Sequence, residues 1–184
     1  SLEKEIKDAL DRIKKDIEDS ARRTKEVNDK SKEIIDRLKK HTDDVNDESR
    51  RRIKEIKDEV RDKKRVTELL EEVKERSKRL AEESKKILDE VVKKSRELAK
   101  RSKEILDEVL KRVAELAEEL KRVSDKRLVK EVIDRLDEIV EDVKRRDEEI
   151  IRTSEKLLRD VARLDEEIAK RSRDLLRDVE RKVK

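Results

Sequence analysis

The sequence predicts an all-α fold: an up-down-up bundle of three long, nearly straight antiparallel helices, a rod with little supercoil. Three observations carry that prediction. Leu, Ile, Val and Ala recur at helical spacing along almost the whole chain. Two short charged breaks interrupt the spacing, Arg61-Asp62-Lys63-Lys64-Arg65 and Ser124-Asp125-Lys126-Arg127. An eighteen-residue pattern repeats inside each of the three stretches.

The apolar periodicity runs from Leu2 to Val60, from Val66 to Val123 and from Leu128 to Val183. This places helices at about 2–61, 65–123 and 127–183 in a single three-helix domain spanning 1–184. Each helix would extend about 85 Å at 1.5 Å per residue. Connections this short make neighbouring helices antiparallel. Asp62 is a candidate cap for the second helix, and Ser124 or Asp125 for the third. A single unbroken helix is the competing local reading. The apolar stripe changes phase across each break, which argues for reversal instead. Disorder is the other alternative, because 59% of the residues are charged. The 56 basic and 52 acidic residues nearly cancel, however, leaving a net charge of +4, and the aliphatic content is too high for a disordered chain. Strands would need period-two alternation and turn residues, and the sequence has neither.

The repeat sets the helix geometry. RSKRLAEESKKILDEVVK (76–93) is followed by KSRELAKRSKEILDEVLK (94–111). In the first helix Thr24, Val27, Asn28, Ser31 and Ile35 recur as Thr42, Val45, Asn46, Ser49 and Ile53. In the third, Ile150, Ser154, Leu157 and Val161 recur as Ile168, Ser172, Leu175 and Val179. Eighteen residues make five turns at about 3.6 residues per turn, so the apolar stripe does not drift around the helix.

Setting Val60 against Val66, and Val66 against Val183, lines up the polar members of these repeats. Thr24, Ser102 and Asp147 fall in one layer, and Thr42, Ser84 and Asp165 in another. Ser31, Ser95 and Ser154 form a third, and Ser49, Ser77 and Ser172 a fourth, with Asn28 and Asn46 between the polar layers of their own repeats. Apolar layers accompany them: Ile6/Leu120/Val129, Ile13/Val113/Leu136 and Val60/Val66/Val183. Asp147 and Asp165 share a helical phase with Val129 and Val183. The expectation is two copies of one buried hydrogen-bond network, about 27 Å apart along the rod. In it, hydroxyls and amides donate to a carboxylate that can only accept. Such layers pin one helix register where a purely aliphatic core permits slips.

Composition excludes most chemistry. Gly, Pro, Cys, Met, Phe, Tyr and Trp are absent. Without cysteine there is no disulfide or zinc-thiolate site, and without glycine no phosphate-cradling loop. Without aromatic residues there is no stacking platform for bases. Asp147 beside Ser102 and Thr24 supplies a carboxylate and hydroxyls, yet the layer has no histidine base and no free backbone donors for an oxyanion. The expectation is that the chain is not an enzyme and takes no cofactor, metal or small-molecule substrate. His41, the single histidine, reads as a boundary residue. The Glu-x-x-His pattern of di-iron bundles is missing. Basic runs such as Arg50-Arg51-Arg52 are matched by acid, so no specific nucleic-acid binding is expected. No apolar run is long enough for a membrane span or signal peptide. A soluble chain, consistent with recombinant cytoplasmic expression, is expected, and Ser1 without a methionine fits a trimmed product. Partners are either none or a helical chain, this one or another. The apolar arc of the second helix is wide: Ala81, Ala99 and Ala117 flank it at one phase, Val92 and Leu110 at the next. Leu164 and Ala162 lie on the edges of the third. Burial of Val92, Leu110 and Leu164 would indicate a self-contained bundle, and their exposure in one stripe a partner.

Taken together, the aliphatic core, the Glu/Lys/Arg surface, the eighteen-residue repeat and the polar layers make the whole chain resemble computationally designed helical bundles with deliberate buried hydrogen-bond networks. That resemblance implies a scaffold, an oligomer or a binding partner with no natural substrate. Gly or Pro in the loops, common in such designs, is absent here. A natural spectrin-like coiled-coil rod is the alternative, and such rods repeat less faithfully.

Overall fold

The structure is a computed structural model describing residues 1–183. The side chain of Val183, placed above in a layer with Val60 and Val66, lies outside the described residues, as does Lys184. The chain forms three α-helices of 58 residues each: α1 (Leu2–Glu59), α2 (Lys63–Leu120) and α3 (Lys126–Val183). No strand occurs among the described residues.

Two acidic residues set where α2 and α3 begin. Asp62 Oδ1 accepts from the Lys64 amide at 3.1 Å. Asp125 Oδ1 accepts from the amides of Arg127 (3.0 Å) and Leu128 (3.3 Å). Each satisfies donors that the first turn of a helix leaves free. Asp125, rather than Ser124, is therefore the α3 cap. α1 and α2 stop at Glu59 and Leu120, before the expected 61 and 123, and α2 and α3 start at Lys63 and Lys126, directly after their caps and before the expected 65 and 127. The second break tightens first: the amides of Lys121, Arg122 and Val123 bond back three residues, to Glu118, Glu119 and Leu120, at 3.0–3.2 Å. No described residue has a positive φ. The chain thus reverses twice without the left-handed residue for which glycine is usually recruited.

Contacts group the chain into two compact units. The first comprises Ser1–Asp29 and Lys94–Lys156, and the second Lys30–Lys93 with the chain from Leu157 onward. In the first unit one apolar cluster joins Ile6, Leu10, Ile13 and Ile17 of α1 to Leu106, Val109, Leu116 and Leu120 of α2, and to Val132, Leu136, Val143 and Ile150 of α3. In the second unit there are two clusters. Ile35, Leu38, Leu88, Val91, Leu157, Val161, Leu164 and Ile168 form one, and Ile53, Ile56, Leu69, Leu70, Val73, Leu175 and Val179 form the other. Between them the buried residues of α1 are Thr42, Val45 and Ser49 and those of α2 are Ser77 and Ser84, while Ser172 of α3 is half-buried. Removing a side chain such as Leu88 or Leu106 from water contributes about 1.5–3 kcal/mol.

Cross-helix partners show the directions of the helices. In the first unit Asp16 pairs with Arg112 at 3.1 Å and Thr24 meets Ser102, so α2 numbers fall as α1 numbers rise. In the second unit Asp43 pairs with Arg171, and Arg50 with Asp178 at 3.0 Å, so α3 runs parallel to α1.

Candidate functional site: the buried hydroxyl layers

The polar residues singled out from the repeat divide into two groups. Ser31, Thr42 and Ser49 of α1, and Ser77, Ser84, Ser95 and Ser102 of α2, are buried. Thr24, Asn28 and Asn46 of α1, and Asp147, Ser154, Asp165 and Ser172 of α3, are half-buried. Every polar residue assigned to α3 thus lies at the margin of its unit's core. Phase explains this for the two aspartates, though not for Ser154 and Ser172, which share theirs with the buried Leu136. Asp147 shares its phase with Val129, and Val129 is itself half-buried. The α3 core is centred on Val143, Val161 and Val179, about 40° further round at 100° per residue.

Two hydroxyl pairs of the repeat meet across helices, Thr24 with Ser102 and Ser77 with Ser172. Thr24 Oγ1 lies 3.4 Å from Ser102 Oγ in the first unit. Ser77 Oγ donates to Ser172 Oγ, also at 3.4 Å, in the second. Both are long for O–H···O bonds and therefore weak. The threonines also turn to their own helix. Thr24 Oγ1 donates to the Ser20 carbonyl at 2.9 Å and Thr42 Oγ1 to the Leu38 carbonyl at 2.7 Å. That contact needs no partner helix and competes directly with a cross-helix network. Ser31 belongs to the second unit, and Ser95 and Ser154 to the first.

The aspartates are not the buried acceptors expected of them. Both are half-buried, and Ser84 Oγ, in the layer of Asp165, has no hydrogen-bond partner. Their electrostatic neighbours lie on α2. Partial burial raises the Asp147 pKa above the ordinary aspartate value, nearby Asp107 raises it further, and Lys103 opposes the shift. Asp165 is raised in the same way, by partial burial and then by Asp89, with Lys85 opposing. The repeat has reproduced the environment along with the residue.

Ser20 was not among the residues expected here. It is 1% exposed and its hydroxyl has no partner. The signal was present in the repeat: Ser20 stands one period before Leu38, and Leu38 is buried.

Among the described residues no group of three or more His, Cys, Asp or Glu side chains is placed to hold a metal ion. His41 is exposed, beside Val45, Arg76, Arg79, Leu80 and Glu83. A surface groove of about 700 Å³ in the first unit has Leu10 and Ile17 among walls of acids and bases such as Asp11, Lys14, Arg135 and Glu138. Among the described residues no helix is long and apolar enough to cross a membrane.

The geometry defines a class, the three-helix bundle. Comparison with solved structures agrees: the chain is similar to one described as a computationally designed three helix bundle. The two superpose with a TM-score of 0.62 over 98% of this chain and 91% of the other, at 19% sequence identity. Likeness at that identity establishes the shared fold. No protein family and no curated protein matches the sequence.

Proposed function

We propose that the chain is a designed structural scaffold, without catalytic activity, whose hydroxyl layers specify how its helices align. The observation that carries this reading is the pair of contacts Thr24–Ser102 and Ser77–Ser172, each joining repeat positions on different helices. A near-faithful eighteen-residue repeat, a core of Leu, Ile, Val and Ala, and the designed origin of the similar bundle support it. The layers act through cost. In a slipped register a buried hydroxyl faces an aliphatic side chain and loses its partner, at about 1–3 kcal/mol each. The test replaces Thr24, Ser102, Ser77 and Ser172 together with valine. The expected variant remains helical but shows a broadened or multiplied amide spectrum. A spectrum as sharp and single as the parent's contradicts the reading.

A second reading, a module that pairs with itself or with a partner helix, draws on another observation. Leu164 is buried and Val92 half-buried, whereas Leu110 is 36% exposed. Ile133 and Ile151, one repeat apart on α3, are 44% and 56% exposed. Light scattering across concentration decides between them: a constant monomer mass favours the scaffold alone, and a mass that rises favours pairing.

A further inference from the structure

The second unit contains a small, partly open cleft with walls of both kinds. Its volume is about 20 Å³; Thr42, Asn46, Ser49, Ser77 and Ser172 form its polar side, and aliphatic residues, Ile168 among them, form the other. One water needs about 10–15 Å³ on this scale and two to four polar partners. Thr42, Ser49 and Ser77 are each more than nine-tenths buried. The Thr42 hydroxyl spends its proton on the Leu38 carbonyl and keeps acceptor capacity. Ser77 spends its proton on Ser172 and likewise can still accept. The Ser49 hydroxyl and the Asn46 amide can each donate and accept. Space, burial and complementary donors and acceptors therefore coincide in one cavity.

We propose that this cavity is a hydration site, occupied by one ordered water that bridges Thr42 and Ser49 of α1 to Ser77 of α2. The water sits between Thr42 and the Ser49/Ser77/Ser172 layer, a layer to which the sequence assigns no carboxylate. It is suited to that position because it can donate to the two hydroxyls whose protons are already committed and accept from Ser49 or Asn46. The repeat does not guarantee a second copy of the site. Arg171, which lines this cavity, corresponds to Thr153 one period earlier. The inference stands or falls apart from the scaffold reading, since it concerns cavity occupancy and not the origin or purpose of the chain.

The test uses the full chain in two measurements. An atomic-resolution crystal structure is expected to show one water within hydrogen-bond distance of at least two of Thr42, Asn46, Ser49 and Ser77. Water-selective NMR is expected to show a long-lived cross-peak to the same residues. Ser49→Ala should lose that cross-peak while helix content is unchanged, and Ser49→Thr, which keeps the hydroxyl, should retain it. A dry cavity in the parent chain overturns the proposal, and the parent chain decides this even if Ser49→Ala fails to fold. So does a cross-peak that Ser49→Ala leaves at full intensity.

Discussion

Ser84 and Ser102 occupy the same position of the repeat and are 1% and 2% exposed, yet only Ser102 has a partner, Thr24. Losing a buried donor or acceptor's partner costs more than making the bond returns, so the two should respond oppositely to truncation. Ser84→Ala should be neutral or stabilising by up to about 1 kcal/mol, because it removes a hydroxyl that nothing satisfies. Ser102→Ala should cost about 0.5–1.5 kcal/mol, at the low end given the 3.4 Å contact. Urea denaturation midpoints of the two variants check both signs. Asp147 and Asp165 carry a pH prediction. Their pKa values are raised in the folded state, by burial first and by Asp107 or Asp89 second. The folded chain therefore holds these protons more tightly than the unfolded one. Their favourable contribution is complete below the unfolded aspartate pKa and is lost as pH rises through the raised folded value. Asp147→Asn with Asp165→Asn should flatten that part of the stability profile and leave the variant equal to, or more stable than, the parent at neutral pH. The gain should stay under about 1 kcal/mol at this level of exposure. A variant less stable than the parent at neutral pH, measured by denaturation across the acid range, would contradict the assignment.

At the scale of the element, capping decides where helices start. Asp62→Ala and Asp125→Ala should each destabilise by about 0.5–2 kcal/mol. Asp125 should cost more, since it accepts from two amides where Asp62 accepts from one. Thermal melts of the single variants test the order. The Asp62 cap is legible from the acidic residue just before the apolar pattern resumes, whereas at the second break the sequence offers Ser124 and Asp125 alike and the structure selects Asp125. The three helices were equally readable, for aliphatic residues at 3.6-residue spacing leave little alternative. The same phase argument covers the buried Ser31, Thr42 and Ser49 of α1 and Ser77, Ser84, Ser95 and Ser102 of α2, but not Thr24, which is half-buried. The α3 polar residues did not follow. A helical wheel reports that Asp147 and Val129 point the same way, but not that this direction is the margin of the core. Nor does it show whether Thr42 prefers its own helix's carbonyl to a neighbour's side chain, because that choice turns on rotamers and on distances of a few tenths of an ångström.

For the whole molecule, the repeat makes one further comparison possible. Leu88 and Leu106 are repeat equivalents with no exposure, one in each compact unit. Leu88→Ala and Leu106→Ala should cost similar amounts, about 2–5 kcal/mol each. Denaturation of both variants, followed by circular dichroism, tests whether the two units' cores are energetically alike. The inter-helix ion pairs Asp16–Arg112, Glu48–Arg76 and Arg50–Asp178 contribute little to that total, about 0–1 kcal/mol apiece at their exposure, though they fix orientation. The central claim is that hydroxyl positions of the repeat meet in one helix register. The chain has no cysteine, so disulfide trapping can read that register without background. Thr24→Cys paired with Ser102→Cys, and Ser77→Cys paired with Ser172→Cys, should oxidise rapidly to intramolecular disulfides. Thr24→Cys paired with Ser95→Cys, a heptad out of step, should remain reduced. Rapid closure of the out-of-step pair, with the aligned pairs left as free thiols, would contradict the account.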